Sequence, residues 1–310
     1  ALARLPAAVC CSSNFIRPQK YEEYAANLPA AGNKSPINAV SNPGALPVTV
    51  KFVKFVIIKT VLPGPMEKRG KVRKLIIIPT YNEIENIGKM IEKVFSLPED
   101  FDLLVIDDGS PDGTALIVRE RQDEHTGRLH LIERSGKLGL GTAYLAGFRW
   151  ALEQGYDYVF EMDCDFSHNP DDLLRLYSAA IDGADVVVGS RYIEGVNVVS
   201  WPMSRLLMSY FASVYVRTVT RMPVRDATAG FVCYSREVLE RIDLDNVKMV
   251  GYGFQIEMKY SAWKLGFRIR EVSIIFTERK EGKSKMSSSI FGEAFWGVLK
   301  LRFRKIRPKT

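Results

Sequence analysis

Two aspartates, Asp163 and Asp165, bracket a single cysteine at the carboxyl end of the largely apolar run 158–162. Carboxylates set this close at the exit of a buried strand repel one another unless a cation lies between them. A divalent ion that also binds a nucleotide diphosphate resolves the repulsion. Mg²⁺ favours one or two carboxylates plus phosphate oxygens over a complete protein cage. A second acidic exit, Asp107-Asp108-Gly109-Ser110, follows the run Leu103–Ile106; its alternative reading is a tight turn, where Asp and Gly are favoured for backbone reasons alone. A third cluster, Pro79-Thr80-Tyr81-Asn82-Glu83, follows Leu75–Ile78. There Tyr81 offers a ring to a base, and Glu83 and Asp107 offer acceptors to a base or ribose. The competing reading is a helix start capped by Thr80 or Asn82.

The elements that must position these clusters read as alternating strands and helices from Leu75 onward. A β-branched run at 75–78 and strand-like runs at 103–106, 129–132, 159–162 and 186–188 are separated by helical stretches. In the first of these, Ile87, Met90, Ile91 and Val94 share one face. Continuous apolar strands in βα repeats imply a mostly parallel sheet covered by helices on both faces. In such a sheet ligands bind beyond the carboxyl ends of the strands, where all three clusters fall. The second half changes character: an apolar helix over 200–222, strands at 230–234 and 268–276, and a helix over 254–265 between them. Gly136-Lys137 and Gly139-Leu140-Gly141 do not complete a G-x-x-x-x-G-K-[ST] phosphate loop. Gly139 and Gly141 are read as letting that loop turn tightly beside a ligand. Cys164 is read as a small apolar residue beneath the site, and His168 as either a metal or phosphate contact or a helix-entry hydrogen bond.

The chain has 310 residues, 46% hydrophobic, with a net charge of +7 that favours anionic partners. The aromatic residues do not interleave with basic ones in a recognition module, so nucleic acid is not an expected partner. Four cysteines without C-x-x-C spacing fit a reducing compartment. No stretch reaches the ~18 consecutive apolar residues of a membrane span, so membrane contact is expected to be peripheral. Three segments follow from composition. Residues 1–65 form an irregular leader preceding the first methionine, Met66, which is read as the natural start; 66–289 form the α/β domain. Residues 290–310 form a basic tail, with Phe291, Phe295, Trp296, Leu299 and Phe303 at helical spacing. Its composition suits a membrane-surface helix, the alternative being a helix packed on the domain.

Taken together, these runs resemble family 2 glycosyltransferases of the GT-A fold, and within them polyprenol-phosphate (dolichol-phosphate) mannose synthases. Further runs carry the likeness: 189–192 (GSRY), 225–231 (RDATAGF), 251–258 (GYGFQIEM) and 279–285 (RKEGKSK). The resemblance implies a GT-A, Rossmann-like, mostly parallel sheet flanked by helices, with a small antiparallel portion in the C-terminal half. It implies that Pro79, Tyr81, Glu83 and Asp107 hold the nucleotide, and that Asp163 and Asp165 bind Mg²⁺ or Mn²⁺ with Ser167 in a third, weaker ligand position. Arg191, Arg205, Arg279 and Lys285 match positions that engage phosphates of donor or lipid acceptor. Asp165, Arg191 and Arg205 are then the catalytic set.

The implied reaction moves mannose from GDP-mannose to a polyprenyl (dolichyl) phosphate with inversion. The acceptor oxygen is already ionised, so no strong general base is needed. UDP-glucose or another nucleotide sugar is the alternative donor, and a non-catalytic lipid- or nucleotide-binding subunit is the alternative class. The resemblance places the chain on the cytosolic face of a membrane, with the apolar helix around 201–211 along the interface and small membrane-anchoring subunits as candidate partners.

Overall fold

The computed structural model describes residues 70–249, 251–278 and 289–309. The chain divides into two units, Ala1–Gly64 and Pro65–Thr310. The leader, Arg279 and Lys285 lie outside the described residues.

Alternation of strand and helix runs from β1 (Lys74–Thr80) through α1 (Ile84–Phe95), β2 (Phe101–Asp107), α2 (Thr114–Gln122), β3 (Leu129–Glu133), α3 (Leu140–Glu153), β4 (Tyr158–Glu161) and α4 (Asp172–Ile181) to β5 (Val186–Ser190). After it come β6 (Val198–Val199), α5 (Met203–Thr220), β7 (Val232–Ser235), α6 (Arg236–Arg241), α7 (Tyr252–Lys264), β8 (Ile269–Ser273), β9 (Phe276–Thr277) and α8 (Ser289–Phe303). Seven strands form one sheet in the order β3-β2-β1-β4-β7-β5-β8, and β6 pairs with β9 apart from it. All neighbours in the large sheet are parallel except β7, which runs antiparallel to both β4 and β5.

Strand periodicity divides the core into two layers. Ile76 and Ile78 pack on one face with Leu103, Val105 and the apolar stripe of α1. Leu75 and Ile77 pack on the other with Leu104, Ile106 and α3. Each fully buried aliphatic side chain contributes roughly 1.5–3 kcal/mol, which is why Leu75–Ile78 and Leu103–Ile106 are aliphatic throughout. Pro79 interrupts nothing, because the β1–β4 register ends at Ile77. A third cluster, with Val216, Ile256, Tyr260, Val298 and Leu301, joins α5, α7 and α8. α8 therefore packs on the domain along one face, while Phe295, Trp296 and Phe303 remain exposed.

The strand expected over 268–276 is two strands. The amide of Ile274 still bonds Ser190 O, but the amide of Phe276 turns to Asn197 O, so the chain leaves the large sheet for β6. Among the described residues no helix is long and apolar enough to cross a membrane.

Gly147 on α3 marks a close helix–sheet approach: a Cβ there would stand 2.7 Å from Ile77 Cδ1 and 3.0 Å from Ile106 Cδ1. Gly147→Val is expected to lower the unfolding free energy by about 2–3 kcal/mol through overpacking, as read by urea denaturation. An unchanged midpoint would refute this packing.

Candidate active site

Because β1, β2, β4 and β5 are parallel, their carboxyl ends open on one edge. The three polar clusters meet there, and Arg191 joins them from β5. The antiparallel β7 begins at the same edge, so the loop 224–231 arrives beside them.

The first two clusters brace each other. Asp107 is buried; Thr80 Oγ1 donates to it at 2.9 Å, the Ser110 amide at 2.8 Å and Ser110 Oγ at 2.6 Å. Ser110 Oγ accepts from the amide of Asn82, which stands in a left-handed conformation at φ 55°. Thr114 Oγ1 accepts from the amide of Glu83, and Asp112 from that of Ile84. Neither Thr80 nor Asn82 caps α1, whose cap residue, Glu83, makes no side-chain capping bond. The start of α1 is satisfied instead by the loop after β2. Burial alone would raise the Asp112 carboxyl, but hydrogen bonds from Thr114 and Ile84 outweigh it and hold it below the usual range. Asp108 is paired with Arg134 (Nε–Oδ1 2.6 Å), which also donates to Thr142 Oγ1 at 2.7 Å and so ties the glycine loop to β2. Lys137 from that loop lies 5.3 Å from the Tyr81 ring centroid. Gly139 has φ 99°, a conformation glycine adopts without strain. Gly141 serves packing: a Cβ there would meet Phe254 at 2.9 Å.

At the β4 exit, Asp165 Oδ1 accepts from the Ser167 amide at 3.1 Å across Phe166, whose φ is 57°. The Thr277 amide bonds Ser167 O. His168 Nδ1 accepts from the Asp163 amide at 3.3 Å, and its ring stacks on Phe231 at 4.9 Å. This is a structural hydrogen bond, and it requires Nδ1 without a proton. Asp163 is partly exposed and Asp165 nearly buried. Among the described residues Ser167 Oγ, also buried, has no hydrogen-bond partner, and a buried hydroxyl left unpaired is costly. Among the described residues no three His, Cys, Asp or Glu side chains are grouped to hold a metal. The donor set of two carboxylates and one hydroxyl fits a divalent ion that completes its shell from a ligand's phosphates.

Opposite stands the basic wall. Arg191 grips Asp226 with Nε at 2.7 Å and Nη2 at 2.7 Å, and Nη2 also reaches Thr228 Oγ1 at 3.0 Å. Burial would raise Asp226, but the Arg191 charge and hydrogen bonds hold it below the usual carboxylate range. It is thus an ionised partner for arginine rather than a base. Arg205, on α5, pairs with Glu278 at 2.7 Å and lies 4.3 Å over the Trp201 ring. A cleft of about 490 Å³ connects Asp163, Asp165 and Ser167 to Arg191 and Arg205, and extends along an apolar wall from α5 and α8 that includes Met208, Phe211 and Phe295.

Asp226 and Gln255 fall in the runs 225–231 and 251–258 that carry the resemblance but are given no role there, and Arg134 and Lys259 fall in none of these runs. Lys259 stands in the stretch of α7 from Gly253 to Ala262 in which every residue is buried, so it has to be paired.

Burial pulls the His168 imidazole from 6.5 down to about 4. Between these values the unfolded chain binds a proton that the folded chain does not, so stability rises with pH across that window. His168→Gln is expected to flatten the rise of Tm with pH there; an unaltered slope would exclude His168 as its source.

The family model described as "Glycosyl transferase family 2" matches residues 75–243. Polyprenol monophosphomannose synthase of Mycolicibacterium smegmatis is 46% identical over 239 residues, 76% of this chain and 90% of that protein. Undecaprenyl-phosphate mannosyltransferase of Micrococcus luteus is 46% identical over 231 residues, 73% of this chain and 94% of that one. Among solved structures, glucosyl-3-phosphoglycerate synthase from Mycobacterium tuberculosis in complex with phosphoglyceric acid superposes with a TM-score of 0.56 at 18% identity, covering 74% of this chain and 80% of that one. Its complex with Mn²⁺, uridine-diphosphate and glucosyl-3-phosphoglycerate gives 0.54, also at 18% identity, over 74% and 78%. That likeness establishes the GT-A-like fold. With a family model spanning more than half its length and two such relatives, the chain belongs to glycosyltransferase family 2 and is a glycosyltransferase.

Proposed function

We propose that this enzyme transfers mannose from GDP-mannose to a polyprenyl phosphate. The observation that carries the reading is the two-sided cleft, acidic and basic at one end and apolar along the wall of α5 and α8. A sugar nucleotide needs the first part, and a lipid phosphate needs both. The names of the two relatives at 46% identity support the lipid and the sugar.

Pro79, Tyr81, Glu83 and Asp107 hold the nucleoside on the edge beyond β1 and β2. Asp163, Asp165 and Ser167 hold Mg²⁺ or Mn²⁺, which when bound offsets the charge of the diphosphate leaving group. Arg191 and Arg205 receive the acceptor phosphate, with Arg279 and Lys285 completing the set. An acceptor oxygen attacks the anomeric carbon, the bond from that carbon to the diphosphate breaks, and GDP departs with the electron pair, inverting the configuration. The acceptor monoester is ionised at neutral pH, so no base is required. That fits a site where Asp226 is bound to Arg191 and His168 Nδ1 is occupied by the Asp163 amide. What the reaction needs is positive charge to bring an anion up to a diphosphate, and the basic wall supplies it.

The exposed apolar residues of α5 and α8, with Phe211 at 60%, Met203 at 66% and Trp296 at 63%, lie against the membrane surface in this reading. The lipid tail then enters the cleft without crossing water.

Product mass from the purified chain with Mg²⁺ or Mn²⁺ and a polyprenyl phosphate tests the chemistry. GDP-mannose alone among GDP-mannose, UDP-glucose and UDP-GlcNAc is expected to give product. Turnover with another donor would replace the substrate assignment. Asp165→Ala should lower kcat at least ~100-fold while lipid binding is retained; undiminished transfer would remove Asp165 from the site. Phe211→Asp combined with Trp296→Asp should weaken co-sedimentation with liposomes containing anionic lipid, and equal sedimentation would place the membrane face elsewhere.

A further inference from the structure

Lys259 is fully buried in the middle of α7. Its ammonium donates to Ala229 O at 2.6 Å, Gln255 O at 3.1 Å, Ala227 O at 3.3 Å and Gln255 Oε1 at 3.3 Å. Two of these acceptors, Ala227 and Ala229, belong to the loop entering β7 and flank Thr228. That loop has one job visible at the cleft. Asp226 orients the Arg191 guanidinium with two bonds of 2.7 Å, and Thr228 Oγ1 accepts a third. Thr228 and Ala229 themselves line the cleft.

The loop is held on two sides. Glu271 on β8 accepts from the amides of Arg225 at 2.7 Å and Asp226 at 2.9 Å. Lys259 takes the carbonyls from below. An apolar residue at 259 would leave Ala227 O and Ala229 O without this donor in a buried place, and a backbone group so placed moves to find another partner. A buried cation is also costly without compensation, which makes it a poor choice for mere packing. Burial pulls Lys259 down to about 8, against the upward pull of Glu161 and Asp226.

We propose that Lys259 is a positioning residue for the acceptor: by fixing the carbonyls of Ala227 and Ala229 it holds Asp226, and through Asp226 the Arg191 guanidinium, in the geometry that receives the acceptor phosphate. This rests on the acceptor-binding role given to Arg191 above. Lys259 touches no substrate. Its effect is expected to fall on acceptor binding and to spare the donor, whose nucleoside site lies beyond β1 and β2.

Steady-state kinetics on Lys259→Met, Arg191→Gln and the double variant, with GDP-mannose and a polyprenyl phosphate, test it. Lys259→Met should raise the acceptor KM about tenfold, leave the donor KM within about twofold, and add little to Arg191→Gln in the double variant. The Arg191 Nε–H correlation in ¹⁵N NMR, assigned by its loss in Arg191→Gln, should shift in Lys259→Met. A folded Lys259→Met with unchanged acceptor KM, beside an Arg191→Gln that raises it, overturns the proposal. An Arg191→Gln with unchanged acceptor KM overturns the acceptor assignment itself, and the functional half of the proposal with it. The NMR shift still decides whether Lys259 sets Arg191. Should Lys259→Met not fold, Lys259→Gln, whose amide can still reach one carbonyl, gives the same comparison under the same criteria.

Discussion

A parallel strand buried on both faces has no place for a polar side chain except at its ends, and this constraint organises the molecule. Every interior position of β1 and most of β2 faces a helix layer, so Leu75 through Ile78 and Leu103 through Ile106 are aliphatic without interruption. Polar chemistry is thereby displaced to the strand exits. Because β1, β2, β4 and β5 point the same way, their exits coincide. Thr80, Asp107, Asp163 and Arg191 share one edge for the same reason that the strands between them are apolar. The exception, β7, contributes through its reversal. Its entry lies where its neighbours end, which brings Asp226 and Thr228 to Arg191.

The second organising term is the cost of charge away from water. Asp226, Lys259, Asp108, Arg134 and Arg191 are all largely buried, and each is paired or hydrogen-bonded. Removing one member of such a pair leaves an uncompensated charge, which is far costlier than never having had the pair. The pairs therefore act as rigid joints. Arg134 joins β2 to the glycine loop and the start of α3. Arg191 joins β5 to the loop before β7. Lys259 joins that loop to α7. A site built from such joints presents its charges without having to reorganise them when an anion arrives, the condition under which electrostatic stabilisation is most effective. Among the described residues Ser167 Oγ, buried beside Asp165, is left without a hydrogen-bond partner by the fold.

Much of this was legible in the sequence. The strand–helix alternation, the parallel sheet, and the convergence of Pro79–Glu83, Asp107–Ser110 and Asp163–His168 followed from apolar runs ending in polar clusters. The apolar helix and the aromatic tail were visible as periodicity. Other features were not. The 107–114 segment reads as a turn or a ligand site, and it is also what satisfies the start of α1, a role that depends on two loops meeting in space. His168 reads as either a metal or phosphate contact or a helix-entry hydrogen bond, and the structure has its Nδ1 accepting from the amide of Asp163, five residues away. Gly141 reads like a ligand-loop glycine, yet the ring of Phe254 is what requires its size.

By itself, then, the sequence determined which segments are strands and helices, which ends carry chemistry, and the chemical types available there. Those properties are local: burial dictates apolar residues, and exits tolerate charge. Only the tertiary structure decided which charges face one another. Arg191 with Asp226, Arg134 with Asp108, and Lys259 with Ala227 and Ala229 are separated by 35, 26 and 30–32 residues respectively. Composition and periodicity carry no record of partners that far apart, because the pairing energy exists only once the chain has brought the groups together and removed the water between them.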